Sequence, residues 1–284
     1  SQLAQRLMSD QNKKVEEKMK DLKDFIQRFS ANASKSSQAT SRKKMLDKLT
    51  LEDIQPSTRK YPFVGFKADR EAGDNLVRVE GLTYSLEGIK ILNNVSFTIR
   101  KGQKTVFLAK SEVVTSSLFK ILMGELEPDA GKVEWGITTT RAYLPNDNSS
   151  FFQDASLNLI DWLRQFSKDQ TETFLRGFLG RMLFSGEEAL KKCNVLSGGE
   201  KVRCMLSKMM LSGSNVLIMD NPTNHLDLET ITAVNEGLID FKGTLLFTSH
   251  DHEFIQTIAD RVISIEDRGA RDEESTYDQF LGLD

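Results

Sequence analysis

Four short stretches carry residue types that could do chemistry. Ser197-Gly198-Gly199-Glu200 opens a helical pattern that runs to Leu211. Free N–H groups at a helix start favour an anion, and glycines let one approach the backbone. Alone, such a start is only a cap. Context comes from Val216-Leu217-Ile218-Met219-Asp220, apolar until its last residue. A carboxylate at the end of a buried strand suits a hard divalent cation held through water. The turn Asn221-Pro222-Thr223-Asn224-His225-Leu226-Asp227 follows directly. His250 comes just after the apolar run Leu245–Ser249, in a Thr-Ser-His-Asp setting, and His252 lacks such a setting. The fourth stretch is Ala109–Ser116, between a strand at Thr105–Leu108 and a helix at Ser116–Leu122. A strand-to-helix turn of this kind is where a backbone can cradle phosphate.

These stretches need a scaffold. Leu76–Glu80, Ile91–Ile99 and Thr105–Ala109 read as strands, as do Val133–Trp135 and Thr138–Leu144. Residues 154–192 read as helical, with Leu157, Ile160, Leu163 and Phe166 on one face. Val216–Asp220, Leu245–Ser249 and Val262–Ile265 are apolar on both faces, as strands of a covered parallel sheet are. A helix joins each neighbouring pair, so the fold class is α/β with a parallel core. Residues after Glu266 read as an acidic, peripheral tail.

The start of the chain has a different texture. Val15, Met19, Leu22, Ile26 and Phe29 alternate in steps of four and three, a heptad seam that wants a partner helix. Its missing half is expected before Ser1, so the sequence reads as a fragment. Residues 1–60 carry 14 Lys/Arg against 8 Asp/Glu, net +6, and the remainder is net −9. A basic arm on an acidic body points to a polyanion partner or to a solvated helix face. Residues 50–73, with Pro56 and Pro62, read as a linker. No apolar run reaches a membrane span. Cys193 and Cys204 are too few for a disulfide framework and read as structural residues in a reducing cytosol.

Leu196–Glu200 and Val216–Asp227 together resemble the signature sequence, Walker B strand and D-loop of ATP-binding cassettes. The Asn-Pro-Thr-Asn-His-Leu-Asp string, the segment Leu175–Gly186 and the stretch Ala33–Arg42 resemble the ABC-F proteins, soluble twin-cassette ATPases of the ribosome. The resemblance implies a P-loop NTPase core with an antiparallel β subdomain and a helical subdomain near residues 150–210. The cassette would span 74–284, preceded by a basic helical interdomain linker over 1–60, the second half of a hairpin. The chain would then be the second cassette. ATP and Mg²⁺ are the implied cofactors, with Ser197, Gly198, Gly199, Glu200, Ser116 and Asp227 on nucleotide and Asp220 and Ser116 on the metal. His250 resembles the switch histidine that senses the γ-phosphate. Arg28, Lys35, Arg42, Lys43 and Lys44 would meet RNA phosphates without reading sequence.

The chain departs from that pattern at its own phosphate loop. A P-loop runs Gly, four residues, Gly-Lys-Ser/Thr. Here Ala109 and Val114 replace the glycines, Thr115 replaces the lysine, and only Ser116 survives. Glu112 brings a negative charge to face any phosphate, and Lys110 is a conceivable substitute cation. Leu86 stands at the adenine-stacking position with Tyr84 nearby, Asn146 at the Q-loop glutamine, and Asn221 at the catalytic Glu. An amide cannot take a proton from water, which costs on the order of 10²–10⁴ in rate.

The expectation is therefore a lopsided ATPase. The signature stretch completes the ATP site of the first cassette, or of a second copy in a homodimer of the fragment, while the fragment alone is weak or inactive. Ribosome, rRNA and tRNA are the expected partners, with no membrane and a cytoplasmic location. The alternative is a non-enzymatic RNA- or ribosome-binding module that keeps the cassette as scaffold. The nucleotide-binding half of a membrane transporter is a third reading.

Overall fold

The computed structural model describes residues 60–283 and, before them, Lys20, Lys23 and Lys43, each helical and exposed. The heptad seam and the basic positions Arg28, Lys35, Arg42 and Lys44 lie outside the described residues. The chain divides into two compact units, Ser1–Lys60 and Tyr61–Asp284.

The second unit is built on two sheets. β1 (Asn75–Leu86), β2 (Ile89–Arg100) and β4 (Ala130–Trp135) form an antiparallel sheet in the order β2-β1-β4. β1 turns into β2 through Glu87 and Gly88, both at positive φ, as a two-residue hairpin of matching twist requires. The larger sheet runs β5-β6-β7-β3-β8-β9. Its strands are β3 (Lys104–Leu108), β5 (Arg141–Leu144), β6 (Val216–Asp220), β7 (Thr244–Thr248), β8 (Arg261–Ile265) and β9 (Ala270–Glu273). All neighbours are parallel except β9, which pairs antiparallel with β8. Every residue of β6 and β7 is buried, which explains their two-faced apolar sequences.

β3 inserts between β7 and β8, so consecutive strands of the chain are not always neighbours. Because the five strands run parallel, the loops that follow β3, β5, β6 and β7 gather at one edge of the sheet. Helices α1 (Glu112–Met123), α5 (Leu228–Asp240) and α6 (His252–Ile258) leave from that edge. α1 is fixed from below by a chain of edge-to-face rings, Phe97 on Phe107 at 5.3 Å and Phe107 on Phe119 at 5.5 Å.

Four expectations are corrected. Residues 154–192 are not one helical stretch: α2 (Leu159–Arg164) and α3 (Glu172–Arg181) are separated by a turn, and Gly186–Leu190 is a short 3₁₀ segment. The break is local, since Asp169 accepts from the N–H and the hydroxyl of Thr171 and Ser167 bonds back to the Asp169 carbonyl. The inward face survives, with Ile160 and Leu163 buried and Leu157 and Phe166 packed on them. Residues 61–72 are less a linker than a strap on the second unit: Val64 is buried, Phe63 N–H donates to Arg181 O and Asp69 N–H to Gly213 O. The tail is not peripheral, because β9 closes the sheet edge and Asp272 takes both arms of Arg261, whose side chain is only 8% exposed. α7 (Tyr277–Leu281) then packs Phe280 into the core. Finally, α1 starts at Glu112 rather than Ser116, so half of the expected loop is helix. Cys193 and Cys204 are free and buried, and burial pushes the Cys193 thiol up to about 11.

Candidate functional site

The loops at the C-terminal edge of the parallel sheet meet around a cavity of about 200 Å³ lined by residues of β3, the start of α1, Asn221, the β7–α6 loop and Tyr277. Asp220 closes β6 and is almost fully buried. Its carboxylate accepts from Ser116 Oγ at 2.5 Å and from Thr248 Oγ1 at 3.0 Å. Burial pushes Asp220 above the ordinary carboxylate value, and those two hydroxyl donors offset this only in part. Asn221, held at φ 51, donates from Nδ2 to Asp220 and from its backbone N–H to Thr248 Oγ1. Its Oδ1 is buried without a hydrogen-bond partner. At the mouth, His250 Nε2 lies 2.6 Å from Glu112 Oε1. Asn146 donates from Nδ2 to Glu112 Oε2 at 3.2 Å and accepts from Asn224.

A second focus is the start of α4 (Gly198–Ser212). Ser197 is its N-cap and forms a complete capping box with Glu200. Ser197 Oγ accepts from the Glu200 N–H, and a Glu200 carboxylate oxygen accepts from the Ser197 N–H at 2.9 Å. Lys191 Nζ holds the other carboxylate oxygen at 2.6 Å. Burial acts to raise Glu200, but the Lys191 ammonium and the Ser197 donor outweigh it and hold the carboxyl below its usual value. The two glycines face His225. A Cβ on Gly199 would lie 2.6 Å from His225 O, and one on Gly198 would lie 3.1 Å from the His225 ring. Close packing on the turn after β6 is thus a second reason for these glycines, beside approach of an anion.

Family models described as ABC transporter match residues 92–224 and residues 2–66. The uncharacterized ABC transporter ATP-binding protein YkpA of Bacillus subtilis is 61% identical over 99% of this chain and 52% of its own length. The chain belongs to the ATP-binding cassette family. The probable ATP-binding protein YbiT of Escherichia coli O157:H7 is 39% identical over 99% of the chain and 53% of its own length. ABC transporter F family member 2 of Arabidopsis thaliana is 32% identical over 94% of the chain and 40% of its own length, so ABC-F proteins are among the relatives. The chain spans about half the length of the curated relatives it matches. A dimeric ATP-binding cassette in a post-hydrolysis state with ADP and Pi superposes with a TM-score of 0.56 at 18% identity, over 70% of this chain and 98% of that one. The fold is that of the cassette, with mixed sheets and helices.

Within this cassette the expected residues fall into two groups. Ser116, Asp220, Asn221 and His250 meet at the sheet edge, while Ser197, Gly198, Gly199 and Glu200 form the separate helix start. Asp227 caps α5, accepting from the Thr230 N–H at 2.7 Å. Lys110 does not compensate for the missing lysine, because it pairs with Asp267 at 2.5 Å on the exposed surface. Thr115, at the lysine position, is buried and bonds back to the Glu112 carbonyl. The residues present do not fit a nucleotide's phosphates in the usual way, since the turn that would wrap them is already the first turn of α1. Nor do they make a metal centre alone: among the described residues no cluster of three or more His, Cys, Asp or Glu is arranged to hold one. Among the described residues no helix is long and apolar enough to cross a membrane.

Sequence reading missed the parts that depend on long-range contact. Thr248 bridges Asp220 and Asn221 but was hidden inside an apolar strand. Glu112 was legible as an unwelcome charge, not as the partner of His250 and Asn146.

Proposed function

We propose that this chain is the second cassette, with the end of the preceding interdomain linker, of a cytoplasmic ABC-F type ATP-binding protein that acts on the ribosome. In this reading Ser197 to Glu200 cover the ATP of the first cassette, and the chain's own pocket contributes little binding and no hydrolysis. Mg²⁺ belongs to the site of the first cassette, and the basic arm, with Lys35 and Lys43 among its cations, meets RNA phosphates. One contrast carries the proposal. α4 begins with a complete capping box and two glycines, whereas the segment Ala109–Ser116 is helix from Glu112 onward and has Thr115 turned inward. The first arrangement keeps backbone donors available at a helix start. The second sets the Glu112 carboxylate and two β-branched valines, Val113 and Val114, at its helix start.

When bound beside α4, ATP would supply the phosphate charge that those backbone donors attract. Ser197 would keep its hydroxyl hydrogen free to donate, because the capping box uses only the oxygen as acceptor. Glu200, locked by Lys191, would hold that oxygen in place.

The test is ATP turnover by the 284-residue chain alone and by its Asn221→Glu variant. Neither should exceed background. In the full-length protein, Ser197→Ala together with Gly198→Trp should abolish turnover, and ribosome association should depend on nucleotide. Brisk hydrolysis by the Asn221→Glu chain on its own defeats the reading.

A further inference from the structure

Two side chains from separate strand ends converge on one carboxylate. Glu112 sits in the first turn of α1, a twelve-residue helix whose N-cap, Ser111, offers no side-chain acceptor to the helix start. Backbone N–H groups at that end favour negative charge. His250, just beyond β7, places Nε2 at 2.6 Å from Oε1. Asn146, just beyond β5, places its amide donor at 3.2 Å from Oε2 and is steadied by Asn224 from the turn after β6. Such a ring of donors around two oxygens is what an oxyanion subsite looks like. The same cavity is lined by Asn221, 4% exposed, whose Oδ1 has no partner.

We propose that Glu112 is a resident oxyanion: it fills from within the chain the place that His250, Asn146 and the α1 start would offer a phosphate group, and so excludes phosphate-bearing ligands from this cassette's own pocket. This rests on the proposed function above and supplies a cause for it. The pocket fails by competition, not only because its glycines and lysine are gone. Asp220, bonded to Ser116 of the same helix, adds a second carboxylate beside the pocket.

The alternative is a surface ion pair that merely steadies α1. Titration with inorganic phosphate separates the two. The 284-residue chain and its Glu112→Ala, Glu112→Gln and Glu112→Ala/His250→Ala variants are followed by the NMR signals of the cavity residues, with melting curves to confirm folding. The wild-type chain should show no saturable response. Glu112→Ala should bind phosphate about tenfold tighter or more, as removal of a like charge at contact range implies. Glu112→Gln, which keeps the volume and is the safer folder, should gain less but measurably. The double variant should lose the gain. If neither single variant binds better than wild type, or if the gain survives loss of His250, Glu112 is not the occupant of a phosphate subsite. Tight binding of MgATP by the wild-type chain at residues 109–116 would instead refute the proposed function itself.

Discussion

Gly199 offers the sharpest quantitative check on how α4 is seated. Alanine there puts a Cβ 2.6 Å from the backbone oxygen of His225. An ordinary carbon–oxygen contact is about 3.3–3.6 Å, so the two segments must part by about 0.7 Å or more. The turn has little freedom to yield: His225 is held at φ 64, and Asn224 and Leu226 N–H groups bond back to Asn221 and Thr223. Forced insertion into a packed site costs about 1–3 kcal/mol. Alanine's better helix propensity returns up to about 1 kcal/mol, less in a first turn. The net is a loss of about 1–2 kcal/mol, which for a unit of this size lowers Tm by about 2–8 °C. Gly198→Ala is the internal control. Its Cβ meets His225 Cγ at 3.1 Å and Cβ at 3.2 Å, a milder overlap than 2.6 Å to a backbone oxygen, so its loss of stability should be clearly the smaller of the two. Urea unfolding of the 284-residue chain measures both. If Gly199→Ala is as stable as wild type, or Gly198→Ala is the worse of the two, the glycines are not there for packing.

Two pH-dependent outcomes follow from the carboxylates of Asp220 and Glu200. Asp220 titrates above its ordinary value in the folded chain, so the native state holds its proton longer and stability is lost as pH rises from about the ordinary value through the folded one. Asp220→Asn should therefore melt higher than wild type at pH 7, and the gap should shrink as the pH approaches the ordinary carboxylate value of 3.8; a gap independent of pH contradicts this. Glu200 has the opposite sign. Its folded value lies below the ordinary one, so its contribution is complete above 4.5 and disappears as pH falls through the depressed value. Glu200→Gln keeps a capping box, as Gln279 does at the start of α7, but loses the Lys191 charge pair; it should cost under about 1 kcal/mol at pH 7 and nothing in strong acid, read from Tm against pH.

The two halves of the site were not equally legible in the sequence. β6 could be read from five residues, because a strand covered on both faces leaves no alternation and ends where the first charge appears. α4 was equally plain, since a Ser-x-x-Glu box announces its own start. Residues 154–192 misled because Leu157, Ile160, Leu163 and Phe166 keep a helical spacing right up to Ser167–Thr171, where side-chain hydrogen bonds turn the backbone. The tail misled for a different reason: composition showed acid, but Asp272 is one arm of an ion pair with Arg261, a partner eleven residues earlier on the neighbouring strand.

Ala109–Ser116 lay between these cases. The loss of Gly, Gly and Lys was visible at once, and so was the loss of binding it implies. Invisible was the consequence for the backbone. Without glycines to hold open a loop, Glu112, Val113 and Val114 join α1, and helix geometry then swings the Glu112 carboxylate beneath His250 and Asn146. Those two side chains stand just beyond different strands, 34 and 138 residues away, so no local pattern could have named them as its partners. The same substitutions that dismantle a phosphate cradle thus install an anion where the phosphate would sit. Mutating the loop back toward glycine while leaving Glu112 in place should consequently recover little.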